Sequence, residues 1–250
     1  MAKLKSLLKV EGTLDGLTFY KTSDGHLVRT SGGVSKSRIE NDPAFARTRE
    51  NGKEFGHIAQ SGKVLRNAIR PMLMQVSDKK VTSRLVKVMA EVKNLDSINL
   101  RGDRSVSSGF LTDPGKQAIT GFDFNSQSVL GSILYAPFNL DTVAGSLSIA
   151  DLSPIRDLVP PRGATHVGIS LGIAGVNFDT GASELAQSVE TVLSTTAATG
   201  TPINLAPAAI PVGYPFTFYL LLVKFSQEVN GMFYPLNNGS YNVLHLLQVV

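Results

Sequence analysis

The segment Gly168-Ile169-Ser170-Leu171-Gly172 has the G-x-S-x-G spacing of a nucleophile elbow. In that chemistry a strained strand-to-helix turn exposes a serine hydroxyl, a histidine takes its proton, and a carboxylate orients the histidine. His245 lies downstream, and Asp179, Glu190 and Glu228 are the carboxylates available to it. The flanking sequence argues against the turn. Residues 172–176 (GIAGV) continue as a glycine-rich, β-compatible stretch where the elbow needs a helix. The strand–helix alternation of a parallel α/β sheet is absent on both sides. The expectation is a glycine-rich strand with no catalytic residue, so the chain is not expected to be an enzyme.

The remaining chemistry-bearing residues are sparser. His26, His57, His166 and His245 have no ligand spacing, so no metal and no cofactor is expected. With no cysteine there is no disulfide framework, no thiol nucleophile and no Cys-ligated zinc site. Arg101-Gly102-Asp103 is an RGD tripeptide in an expected loop, and Asn238-Gly239-Ser240 fits a glycosylation acceptor. Both are read as ordinary loop sequence.

Charge is distributed unevenly. Residues 1–104 carry 20 Lys and Arg against 11 Asp and Glu, whereas the remaining 146 residues carry 4 against 9. Such a split points to a docking or nucleic-acid face at one end and a folded module at the other. Arg47, Lys53, Lys63, Arg66, Arg70, Lys79 and Lys80 are the side chains that would follow phosphates, interleaved with Glu50 and Glu54 as helical ion-pair partners. No motif that reads DNA or RNA accompanies them. The first 12 residues (MAKLKSLLKVEG) are interrupted by Lys5 and Lys9 and do not read as a secretory signal. The apolar run 216–223 is too short to span a bilayer as a helix. The expected location is the cytoplasm at synthesis, with no membrane span, leaving open a particle or an assembly exported without a cleaved signal.

The elements that position these residues fall into zones. Residues 1–40 read as a β-hairpin arm, with Leu17-Thr18-Phe19-Tyr20 and His26-Leu27-Val28 as strands and Ser23-Asp24-Gly25 as the turn. Residues 41–93 read as a helical hairpin. Asp42-Pro43 is its start signal, Phe55, Ile58, Gly62, Leu65, Ile69, Met72 and Val76 form an apolar stripe, and Pro71 breaks the first helix. Asp78 is the expected cap of a second helix that buries Val81, Leu85, Val88, Met89 and Val92. Residues 94–117, rich in Ser, Gly, Asp and Pro, read as a linker. Residues 118–250 alternate as strands, among them 119–124, 146–149, 167–178, 216–229 and 243–250, with Asn230-Gly231 as a two-residue hairpin turn. The fold class is therefore α+β, ending in an antiparallel β-sandwich of immunoglobulin-like or jelly-roll type.

Residues 15–56 (DGLTFYKTSDGHLVRTSGGVSKSRIENDPAFARTRENGKEFG) resemble a family of uncharacterised bacterial proteins. That family carries a similar N-terminal block ahead of a helical pair and a variable β-rich remainder. The resemblance covers about the first third and implies no activity and no functional residue. More loosely, a docking arm before a sandwich is similar to structural subunits of phage-like particles and filaments. The expectation is a structural subunit whose partner is a second copy of itself, with Leu17, Phe19, Tyr20, Leu27, Phe55 and Ile58 at the interface. Nucleic acid, held by the basic helices in a capsid-like protein, is the alternative partner.

Overall fold

The computed structural model describes residues 2–3, 10–22, 25–30 and 32–250. Lys5, Lys9 and the expected turn residues Ser23 and Asp24 lie outside the described residues. The chain divides into two compact units, Met1–Glu50 and Asn51–Val250.

In the first unit β1 (Ala2–Lys3), β2 (Gly12–Leu14), β3 (Leu17–Thr22) and β4 (Gly25–Thr30) form an antiparallel sheet in the order β1-β4-β3-β2. Asp15 and Gly16, both at positive φ, make the two-residue turn between β2 and β3. Residues directly opposite in an antiparallel ladder share a face. The pairs Leu14↔Leu17 and Phe19↔Val28 therefore form one apolar face, whereas Thr18↔Arg29 and Tyr20↔Leu27 line the other. Helix α1 (Lys36–Asn41) is capped by the Ser35 hydroxyl, which accepts the Arg38 N–H. The Asp42 carboxylate accepts the Ala44 N–H to start a 3-10 turn, Pro43–Phe45.

Helix α2 (Ala46–Ala68) runs into the second unit and stops at Ile69; Pro71 opens α3 (Arg70–Leu73), as its missing N–H requires. Helix α4 (Val81–Asn94) follows. Residues 94–117 are no linker. They carry α5 (Val106–Phe110) and the start of α6 (Asp113–Ile119), with Val106, Phe110 and Ile119 fully buried. The polar residues that read as loop are caps: Ser105 accepts the Ser108 N–H and Thr112 accepts the Gly115 N–H. Residues 119–124 do not form the expected strand. Ile119 ends α6, and residues 121–124 then run antiparallel beside residues 244–246, bridged at Asp123 and His245 and held by the Gly121 and Phe124 N–H groups donating to the Leu246 and Leu244 carbonyls.

Beyond α7 (Leu130–Ile133) come β5 (Asn139–Asp141), β6 (Ser146–Leu152), α8 (Pro154–Asp157), β7 (His166–Val176), β8 (Ser183–Gln187), β9 (Thr191–Ser194), β10 (Thr201–Leu205), β11 (Phe216–Val229), β12 (Met232–Pro235) and β13 (Val243–Val249). Strands β7 and β11 pair antiparallel from Phe216↔Val176 to Ser226↔His166. They are the centre of a sheet that β8 and β9 extend on one side and β12 and β13 on the other. Strands β10, β6 and β5 form a separate antiparallel sheet. The fold is thus mixed helix and antiparallel sheet.

Alternation along β7 and β11 sends side chains to two separate cores. On one face Phe218, Leu220 and Leu222 pack with Ile58, Leu65, Met72, Met89 and Phe110 of the helices. On the other Val167, Ile169, Leu171, Leu221 and Val223 pack with Leu147, Ile149, Ile203 and Leu205 of the three-stranded sheet. The helix side of β7 reads Gly168, Ser170, Gly172, Ala174, all small. A Cβ built on Gly172 would lie 2.1 Å from the sulfur of Met72, itself fully buried. Glycine here is the clearance that seats α3 on the sheet.

Gly172→Ala is expected to destabilise the protein by about 1–3 kcal/mol through overpacking, read from urea unfolding. In a Met72→Ala background that cost should largely disappear. An equal cost in both backgrounds would show that Met72 is not the obstacle.

Candidate functional site

The nucleophile-elbow residues are separated by the sheet itself. Ser170, between Ile169 and Leu171, faces the helices; His245, between Leu244 and Leu246 of β13, faces the other way. His245 Nδ1 is 2.8 Å from Asp123 Oδ1, which also accepts the Leu130 N–H. The carboxylates are dispersed. Asp179 accepts the Ser107 hydroxyl, Glu228 lies 3.6 Å from His166, and Glu190 lies 2.7 Å from Lys224. A Cβ on Gly168 would fall 1.7 Å from Glu190 Oε1, so glycine there leaves room for this ion pair to lie across β7. Both glycines of the motif serve packing.

The acidic groups with displaced pKa values are likewise fastening points. Burial of Glu54 on α2 would raise its carboxyl, yet the Lys93 ammonium at 2.5 Å, the Gly102 N–H at 2.8 Å and the Arg104 guanidinium at 3.2 Å outweigh burial. The carboxyl falls from an ordinary 4.5 to about 2. The RGD loop is held by the same helix: Gly102 through Glu54, Arg101 through Asn51, and Asp103 through an ion pair with Lys53. Burial also opposes the charge on Asp78, but the Lys80 and Ser126 N–H groups, the Ser126 hydroxyl and Arg84 hold it at about 2. Asp78 therefore binds the 78–84 turn to Ser126, two residues ahead of the position expected of a cap for α4, whose N-cap is Lys80. Asp96 is lowered against its burial by the Asn99 side chain and the N–H groups of Ser105, Asn99 and Ile98. Among the described residues no group of three or more His, Asp or Glu is placed to hold a metal ion.

The basic residues divide into two sets. Arg47 pairs with Glu50, Lys53 with Asp103, and Arg66 donates to the Gly62 carbonyl and the Thr82 hydroxyl. Lys63, Arg70, Lys79 and Lys80 are exposed. No helix among the described residues is long and apolar enough to cross a membrane.

Of the expected interface residues, Ile58 is 4% exposed and packs in the helix-side core. Phe55, expected on the same buried stripe, is 61% exposed. The position facing inward at that level of α2 is Glu54, one residue and about 100° away, drawn in by its cationic partners. Leu17 and Phe19 share one face of the first sheet, while Tyr20 and Leu27 lie on the opposite one. The four do not form one patch.

One surface escaped the sequence reading. Strand β7 stops opposite Ser226, and β11 continues for three further residues before the turn at Asn230 and Gly231, both at positive φ. The resulting two-stranded ribbon, residues 227–235, is exposed at every position. At its root a cleft of about 250 Å³ is lined by Lys224, Glu190, Val192, Phe233 and Pro235. The signal was present in the Asn230-Gly231 turn, but periodicity alone does not reveal where a strand outruns its neighbour.

Glu54→Gln is expected to cost about 3 kcal/mol near neutral pH, because it leaves Lys93 buried without a counter-charge. The folded-state pKa is depressed, so the stabilisation is full above the unfolded value and is lost as pH falls from about 4.5 toward 2. The gap between parent and variant in urea unfolding should narrow over that window. A gap independent of pH would contradict the assignment.

No protein-family model matches the chain, nor does any curated protein or solved structure.

Proposed function

We propose that the chain is a non-enzymatic structural subunit that associates with copies of itself, using residues 1–50 as its docking arm. The observation that carries this reading is the absence of a core in the first unit. Among residues 10–22, 25–30 and 32–50 none is buried, although Leu14, Leu17, Phe19 and Val28 share one sheet face. A sheet with an apolar face reaches stability by laying that face on another surface. The second unit has two large cores of its own and supplies a self-sufficient body. The packing of β5, β6 and β10 against the central sheet supports reading residues 118–250 as an antiparallel β-sandwich. The contrast between a basic N-terminal stretch and an acidic remainder suits head-to-tail association.

A second reading, contact with nucleic acid, is favoured by the exposed Lys63 and Arg70 beside Arg66, spaced to lie along one side of α2 and α3. The two readings separate in solution. Light scattering of nuclease-treated protein is expected to give a multiple of the 26.7 kDa chain mass that persists at high salt. A 26.7 kDa species at all concentrations would contradict self-association. Assembly that vanishes with nuclease or salt would favour nucleic acid.

A further inference from the structure

We propose that the surface receiving the N-terminal sheet is the ribbon 227–235 of a second copy, in a head-to-tail contact. The proposal rests on the self-association reading above and adds its missing half. The cross-strand pairs Val229↔Met232 and Gln227↔Tyr234 place Val229, Met232 and Tyr234 on one side of the ribbon, 45%, 62% and 55% exposed. Phe233 stands on the opposite side, edge-on to His166 at 4.9 Å, and keeps the root of the ribbon in place. The outer edge of β12 has no strand beside it among the described residues. Proteins ordinarily blunt such an edge with charge, a bulge or a cover. Strand β12 (MFYP) carries no charged residue, and only its final Pro235 discourages pairing.

The occupant is a second copy because this chain supplies the complement. Its first unit presents Leu14, Leu17, Phe19 and Val28 on one face, and among the described residues β2 is likewise an outer strand. Laid face to face, the two apolar stripes cover each other and leave water, which neither unit achieves by itself. Charge agrees with this direction: residues 1–50 hold 9 basic against 6 acidic residues, and residues 105–250 hold 4 against 9. The two patches differ, so the contact is heterologous. It propagates from copy to copy into a filament or closes as a ring.

Two full-length variants test it: Leu14→Ser with Leu17→Ser in the arm, and Met232→Ser with Tyr234→Ser in the ribbon. All four positions are exposed, and unchanged circular dichroism would verify folding. Each variant alone is expected to be monomeric by light scattering. Their equimolar mixture should give dimers, since the arm of the ribbon variant still fits the intact ribbon of the arm variant. A ribbon variant that assembles like the parent, or a mixture that stays monomeric while the parent assembles, would overturn this contact and leave self-association standing. A monomeric parent would remove both. Should a variant misfold, the cysteine-free chain allows a second test: Leu14→Cys mixed with Met232→Cys under mild oxidation. A disulfide-linked dimer found only in the mixture supports the contact, and none from an assembling protein overturns it.

Discussion

Strands β7 and β11 are covered on both faces, and the second unit is arranged around that requirement. Eleven residue pairs hold the two strands together. Burying them demands a helical layer on one side and a second sheet on the other, because apolar side chains leave the pleat alternately in both directions. The close approach of the helices is set at Gly172, where Met72 occupies the volume a side chain would need. The polar interactions follow from the same packing. Glu54 and Asp78 draw donors from segments about 40 to 50 residues away, whereas Asp96 fastens its own loop through Ile98, Asn99 and Ser105. Buried polar groups of this kind stabilise only when satisfied, and these three are.

This economy explains the fate of the catalytic motif. A glycine-flanked serine arises where a strand must pass close beneath a helix and an ion pair, with the same spacing as a nucleophile elbow and none of its geometry. The sheet places the one downstream histidine, His245, on the far side. What the surface offers instead is an apolar sheet face in the first unit, with no buried residue among those whose exposure is described, and an exposed ribbon in the second.

How much of this was legible in the sequence depended on element length. The 14-residue β11, the Asn230-Gly231 turn and the buried faces of α2 and α4 follow from periodicity, because long repeats average out local exceptions. Helices α5 and α6 did not, since they are only five and seven residues long and the Ser, Gly, Asp and Pro within and just ahead of them have the composition of a loop. Phe55 was misplaced because apolar spacing cannot anticipate a glutamate drawn inward by a lysine and an arginine forty to fifty residues away. The Asp15-Gly16 turn was readable as a two-residue hairpin signal and implied a further strand, β2, on the first sheet. The hairpin at Asn230-Gly231 was legible but its exposure was not, because only the shorter reach of β7 uncovers residues 227–235.

Whether the first sheet finds its cover on another copy can be read from hydrogen–deuterium exchange of the intact chain in dilute and concentrated solution. Backbone protection reports local opening, so a sheet that docks between copies gains protection as concentration rises. Exchange in β2, β3 and β4 is expected to slow at high concentration, with the amides of β7 and the core stretch of β11 unchanged. Exchange in β2 to β4 that is independent of concentration would contradict docking between copies.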